Sequence, residues 1–216
     1  MSIPLEPRKN KIGRGTYAAQ DSDKELTRLK IHDRLMTATM GGVLSEQADP
    51  TVFHRVLDVA CGPGGWVIET AQTYPTMSLV GIDINKEMIK HARAQAEAHQ
   101  VHDRVEFRTM DALLALEFPD ASFDLVNQRL GFSFLRTWDW PKMLSELLRV
   151  TLPGGIMRVT EPEVMIPNNS PALTQLFEML QCALYRAGHL FTQKSLGLID
   201  DLPRLLNQYG CQQVQT

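Results

Sequence analysis

The spacing of apolar positions changes character twice along the chain. Residues 1–16 show no period: Pro4, Pro7, Gly13 and Gly15 alternate with Arg8, Lys9, Lys11 and Arg14, which predicts an irregular, mobile arm. Ser22-Asp23-Lys24-Glu25 then reads as a capping box, in which the serine hydroxyl and the glutamate carboxylate satisfy orphan amides of a helix start. Leu26, Leu29, Met36 and Met40 recur on one helical face, and Gly41-Gly42 stops the helix. From residue 54 short apolar runs alternate with amphipathic ones. Strands are predicted at 54–59, 78–83, 105–108, 123–126 and 156–160.

The helices between them carry their own signals. One runs from the glycine-rich stretch Cys61-Gly62-Pro63-Gly64-Gly65 to about Tyr74, where Pro75 bars its continuation. Asn85 caps the next, whose inner face holds Met88, Ile89, Ala92 and Ala96. Residues 140–150 form another through Met143, Leu144, Leu147 and Leu148, with Pro141 in the first turn. Pro153-Gly154-Gly155 reads as the turn into the fifth strand, further helices are predicted at 171–187 and near 198–209, and residues 211–216 suit the start of a sixth strand. Strands alternating with helices at roughly thirty residues per unit predict an α/β fold. It is a doubly wound, mainly parallel sheet with helices on both faces. The division expected is a mobile arm and helical cap over 1–45 and one domain over 46–216. In such sheets ligands bind at the carboxyl ends of the strands, near the reversal of strand order.

Composition narrows the function classes. A chain of 216 residues with 44% hydrophobic and 22% charged positions can bury a full core. A formal charge of -3 and a pI near 6.1 make a poor footprint for DNA or an anionic membrane. No apolar run approaches the ~20 residues of a membrane span, and the first residues lack the apolar segment of a secretory signal. Cys61, Cys182 and Cys211 are odd in number and far apart, which disfavours a disulfide framework or a zinc ribbon and suits a cytoplasmic protein. His32, His54, His91, His99 and His102 form no metal-ligand spacing, so no metal is expected.

A strand followed by a glycine loop and a helix is a weak nucleotide-site signature by itself. Gly62 and Gly64 fit the first two positions of G-x-G-x-x-G, but the third falls on Val67, and a tight turn without ligand remains open. Asp83 ends the second strand about 20 residues further on, where a carboxylate can accept both hydroxyls of a ribose. Capping of the next helix is the alternative for Asp83, although Asn85 suits that position better.

Beyond this point the motifs are specific. Val56-Leu57-Asp58-Val59-Ala60-Cys61-Gly62-Pro63-Gly64-Gly65 resembles motif I of the class I S-adenosylmethionine-dependent methyltransferases, especially the ubiquinone and menaquinone biosynthesis branch. Gly81-Ile82-Asp83-Ile84 resembles their second motif and Met110-Asp111-Ala112 their third. Residues 118–126 resemble the entry to their fourth strand, and residues 148–155 the helix end and turn before their fifth. The resemblance covers residues 50–165 in order, and residues 17–42 are similar to an N-terminal cap of a bacterial subgroup.

The resemblance implies S-adenosylmethionine as cofactor. That ligand has no pyrophosphate, so a third loop glycine is not needed. Ala60, Gly62 and Gly64 would form its loop, Asp83 would take its ribose, Asp111 with the Ala112 amide its adenine, and Ile84 and Met88 would be further cofactor contacts. Asn127 and Gln128 would approach the methionyl ammonium, while Tyr17 and Arg28 on the cap would close over the methionyl end, the guanidinium on its carboxylate. For Arg28 a surface pair with Glu25 is the equal alternative. Asp58 lies near the positive ligand in many relatives, but reads here as a structural carboxylate holding the loop amides.

Methyl transfer is an in-line displacement in which the enzyme chiefly aligns the reactants, so a missing catalytic dyad does not count against it. A base is needed only where the acceptor loses a proton early. Acceptor residues are expected after strands four and five. Glu161 could bind an amine or accept a proton, His189 could act as a base or be merely solvated, and Phe132, with Phe134, Trp138 and Trp140, could line a pocket or fill core. Enzymes acting on nucleic-acid bases carry an Asn/Asp-Pro-Pro-aromatic run after strand four. Asn127-Gln128-Arg129-Leu130 stands there instead, so a small-molecule acceptor is expected and DNA is not. A non-catalytic adenosylmethionine-binding module, or an enzyme using a modified adenosylmethionine, are the competing readings. The family sheet has seven strands against five counted here, so a longer natural chain or a partner, a second copy included, is expected at the open edge.

Overall fold

The structure is a computed structural model that describes residues 22–163, 168–193 and 197–216; the basic arm and Tyr17 lie outside the described residues. The elements are α1 (Ser22–Thr39), β1 (Arg55–Val59), α2 (Gly65–Thr73), β2 (Ser78–Asp83), α3 (Lys86–Ala98), β3 (Val105–Thr109), β4 (Phe123–Arg129), α4 (Trp140–Val150), β5 (Thr151–Thr160), α5 (Pro171–Arg186) and α6 (Leu202–Gln208). Among the described residues, the sheet has five strands in the order β3-β2-β1-β4-β5, every neighbouring pair parallel. After β3 the chain returns to the far side of β1. The boundary between β1 and β4 is therefore the point where strand order reverses, with both strand ends facing the same way.

The inner strands β1, β2 and β4 are buried on both faces because their successive side chains enter different cores, whereas β3 and β5 at the sides of the sheet are only partly buried. Leu57, Val59, Ile82 and Val126 pack with Trp140, Met143, Leu144 and Leu147 under α4. Val56, Leu79, Phe107 and Leu125 pack with Trp66, Val67, Ile89 and Ala92 under α2 and α3. Local signals act where the sequence places them. The Asn85 side chain accepts from the Glu87 and Met88 amides at 3.0 and 3.3 Å and starts α3. Asp124 on β4 accepts from the amides of His54 and Arg55 and ties the two central strands at their amino ends.

Two expectations differ from the structure. β5 begins at Thr151, before the Pro-Gly-Gly stretch, and its pairing with β4 slips between Phe123↔Thr151 and Leu125↔Ile156. Within the described sheet β5 has a neighbour on one side, so the missing amide of Pro153 is tolerated and the extra residues bulge out, with Gly154 at φ 81°. Residues 211–216 are irregular rather than a strand. No described helix is long and apolar enough to cross a membrane.

Candidate functional site

A cleft open to solvent lies between α1 and the carboxyl ends of β1 and β4. Ala60, Cys61, Gly62 and Pro63 line one side, and Leu29, His32, Asp33 and Met36 of α1 face them. Asp58, Arg129 and Leu130 complete the lining. Ala60 and Leu130, the residues that follow the two central strands, both adopt the left-handed backbone region, at φ 60° and 62°. That conformation costs a side-chain-bearing residue about 1–2 kcal/mol, and such strain collects at ligand sites.

Behind the glycine loop, Asp83 joins two elements. One oxygen accepts from the Gly62 amide at 2.9 Å and the other from the Asn85 amide at 2.8 Å. Burial raises its carboxyl above the ordinary value, opposed by those two amides. The Met110 amide bonds the Asp83 carbonyl at 3.0 Å, which brings the end of β3 alongside, and Asp111 turns its carboxylate onto the Leu113 amide at 2.8 Å. Ala112 and Met88 are buried in this layer, whereas Ile84 is exposed. Gly64 starts α2 at φ 80°, close against Phe107 and Ala92, and does not line the cleft.

A buried charged layer supports the floor. The Asn127 carboxamide donates to Asp58 at 2.7 Å and its oxygen accepts from Arg158 at 2.9 Å. Arg158 in turn donates to Glu46 at 2.7 Å. Burial pushes the Asp58 carboxyl up to about 7, against the pull of Arg129 and the Asn127 hydrogen bond. Arg129 pairs with Asp33, donates to the Thr37 hydroxyl at 3.4 Å and lies over the Trp66 ring at 5.7 Å.

A second group lies at the ends of β4 and β5. Glu161 accepts from the amides of Gly131 and Phe132 at 2.6 and 3.0 Å, and burial raises its carboxyl to about 7. The Gln128 carboxamide is fully buried beside it, with neither end in standard hydrogen-bond geometry. His189 Nδ1 meets the carbonyls of Phe132 and Leu135 at 2.6 and 3.0 Å, so Nδ1 carries the proton and Nε2 faces Arg136. Burial, then Arg136, lowers the His189 pKa. Phe132 is half-buried against the core under α4, Trp140 belongs to that core, and Trp138 is exposed.

The structure thus brings Asp58, Ala60 and Gly62 into one cleft; Asp83 bonds the Gly62 amide behind it, and Asp111 stands after β3, outside the lining. Asn127 supports Asp58 from within the sheet rather than facing the cleft, and Gln128 lies on the opposite sheet face with Glu161. Arg28 is exposed, bonds Glu25 at 2.7 Å one turn away, and is not among the lining residues. Sequence reasoning did not single out Asp33 and Arg129. The available signal was a charged residue, Asp33, set into the stripe of Leu29 and Met36 that would otherwise read as a plain apolar face.

Residues 56–155 match the methyltransferase domain family. The demethylmenaquinone methyltransferase of Deinococcus radiodurans is 40% identical over 108 residues, which are 50% of this chain and 43% of that protein. Its counterpart from Lactococcus lactis subsp. lactis is 29% identical over 175 residues, 81% of this chain and 65% of that protein. The chain therefore spans less than two thirds of the length of either relative. An O-methyltransferase family protein from Burkholderia thailandensis shares the fold, with a TM-score of 0.66 at 19% identity over 88% of this chain and 54% of that one. Over residues 56–155 the chain is accordingly similar to the methyltransferase domain family, and over about half of its length it resembles demethylmenaquinone methyltransferases.

Proposed function

We propose that the chain binds S-adenosylmethionine across the carboxyl ends of β1, β2 and β3 and transfers its methyl group to a small-molecule acceptor. The observation that supports this reading is the bond from the Gly62 amide to the Asp83 carboxylate, which holds the glycine loop and the end of β2 in one fixed relation beside the cleft. A Cβ built on Gly62 meets no atom within 4 Å, so the loop has an open face on which a ligand can lie. When bound, S-adenosylmethionine supplies an electrophilic methyl carbon whose bond to sulfur breaks as the bond to the acceptor forms.

The chain's own groups bind and orient. Asp83 keeps unused lone pairs for the ribose hydroxyls, and the second oxygen of Asp111 is suited to the adenine amino group. Asp58 compensates the positive charge of the methionyl end; a cation beside it favours its ionised form. On the acceptor side, Glu161 near neutrality can take a proton from an acidic hydroxyl or carbon, with Gln128, Phe132 and His189 around it. Relatives named for demethylmenaquinone make a hydroquinone ring the first acceptor to try. The acidic charge balance and the Asn127-Gln128-Arg129-Leu130 stretch favour such a molecule over DNA, and three free cysteines suit a cytoplasmic location.

Calorimetry on the full chain tests the reading. S-adenosylmethionine and S-adenosylhomocysteine bind, NADH does not, and Asp83→Asn weakens binding by about ten- to hundredfold. Binding of NADH alone would replace this reading with that of a dehydrogenase. A labelled-methyl assay with hydroquinone acceptors then tests transfer; binding without transfer to any acceptor would favour the non-catalytic module.

A further inference from the structure

We infer that Arg129 receives the carboxylate of the methionyl group, and that Asp33 on α1 occupies that carboxylate's place until the ligand displaces it. The inference rests on the reading of the cleft as an adenosylmethionine site. Among the described residues lining the cleft, Arg129 is the guanidinium; Arg158 is taken up by Asn127 and Glu46, and Arg28 lies outside the lining. Trp66 beneath and Thr37 beside it hold Arg129 with only 12% of its side chain exposed. A planar fork held this way suits bidentate capture of a carboxylate.

Asp33 marks where such a carboxylate is favoured. Its carboxylate meets Arg129 on one side and lies against Gly65, the first residue of α2, on the other. A guanidinium facing a helix amino end is a complete anion environment, with unpaired amides and the helix dipole opposite a fixed cation. Asp58, of opposite charge to Arg129, lines the same cleft. The two together match a zwitterion, ammonium toward Asp58 and carboxylate toward Arg129. With a ligand carboxylate present, Asp33 becomes a competing like charge. It sits on a helix in which, among the described side chains, only Thr37 is buried, so it can yield without breaking a core. Occupancy of the cleft is thereby coupled to the position of α1.

The test is calorimetry with S-adenosylmethionine and its decarboxylated form, which differ only in the carboxylate. The wild-type chain is expected to prefer the carboxylated ligand by about ten- to hundredfold. Arg129→Gln should remove that preference by weakening the carboxylated ligand alone, and Arg129→Lys should restore part of it. Asp33→Asn should tighten S-adenosylmethionine by roughly three- to tenfold, because a competitor is gone, without tightening the decarboxylated form. A wild-type chain that binds both ligands equally, an Arg129→Gln chain that weakens both alike, or an Asp33→Asn chain that weakens S-adenosylmethionine overturns the inference. A wild-type chain that binds neither overturns the cofactor reading itself. If Arg129→Gln does not fold, the sign of the Asp33→Asn effect decides.

Discussion

Asp58 and Asn127 are register partners on the two central strands, and the Asn127 carboxamide bridges the Asp58 carboxylate to the Arg158 guanidinium across the sheet. All three residues are buried. Asn127→Leu keeps the branched outline and removes both hydrogen bonds, leaving a buried carboxyl and a buried guanidinium N–H unmatched. A loss of about 3 kcal/mol is expected, read as a lower urea midpoint at an unchanged denaturant slope.

The Asp58 carboxyl moves from 3.8 to about 7 on folding. A group whose folded pKa is raised lends stability that is complete below its unfolded pKa and lost as pH rises through the folded one. Ligand-free wild type should therefore lose stability between about pH 4 and pH 7 relative to Asp58→Asn, by at most roughly 4 kcal/mol. Glu161, raised from 4.5 to about 7, has the same sign and stays in the variant, whereas the lowered His189 acts oppositely, its share being complete above 6.5 and lost as pH falls through its lowered folded value. Only the wild-type minus variant difference isolates Asp58. Denaturation curves at several pH values, fitted pairwise, supply that difference.

Gly62 and Gly64 both have positive φ, yet alanine should affect them unequally. At Gly62 a Cβ meets no atom within 4 Å, so the cost is the backbone's alone, about 1 kcal/mol. At Gly64 the Cβ would stand 2.7 Å from the Phe107 ring and 2.8 Å from the Ala92 methyl, between β3 and α3. Adding that overlap to the backbone strain raises the expected loss to roughly 3 kcal/mol. Thermal unfolding should rank the two in that order, while Gly62→Ala, whose methyl faces the cleft, weakens the nucleoside ligand with the fold intact.

Whatever acts over short sequence distance was legible. The Asn85 cap, the Pro75 stop, α4 over 140–150 and the alternation of strands and helices all follow from neighbours within a few residues. Asp83 was legible because its distance from the glycine loop is set by one strand–helix–strand unit. The Asp33–Arg129 pair was not: its partners are 96 positions apart, and only the folding of α1 over the ends of β1 and β4 brings them together. Arg158 likewise reads as an ordinary polar position in a strand until Asn127, Glu46 and Trp66 are seen around it. The start of β5 was missed because Pro153-Gly154-Gly155 signals a turn locally, and position at the sheet edge overrides that signal.

Glu161 is the group from which an acceptor-side pH profile is expected. Its carboxyl, raised to about 7 by burial, gains its charge as pH rises through that value, so a rate that needs the carboxylate should climb through pH 7 and then level. Glu161→Gln should lower the rate by about a hundredfold or more and flatten the profile. The carboxamide oxygen can still serve one of the Gly131 and Phe132 amides, so the turn survives with a modest loss of stability. His189 provides the control. Its Nδ1 proton is committed to the Phe132 and Leu135 carbonyls, which makes it a brace for the same turn rather than a proton carrier. His189→Gln should therefore reduce the rate without moving the midpoint of the pH profile. A midpoint that disappears with His189 and persists in Glu161→Gln would transfer the base assignment from the carboxylate to the imidazole.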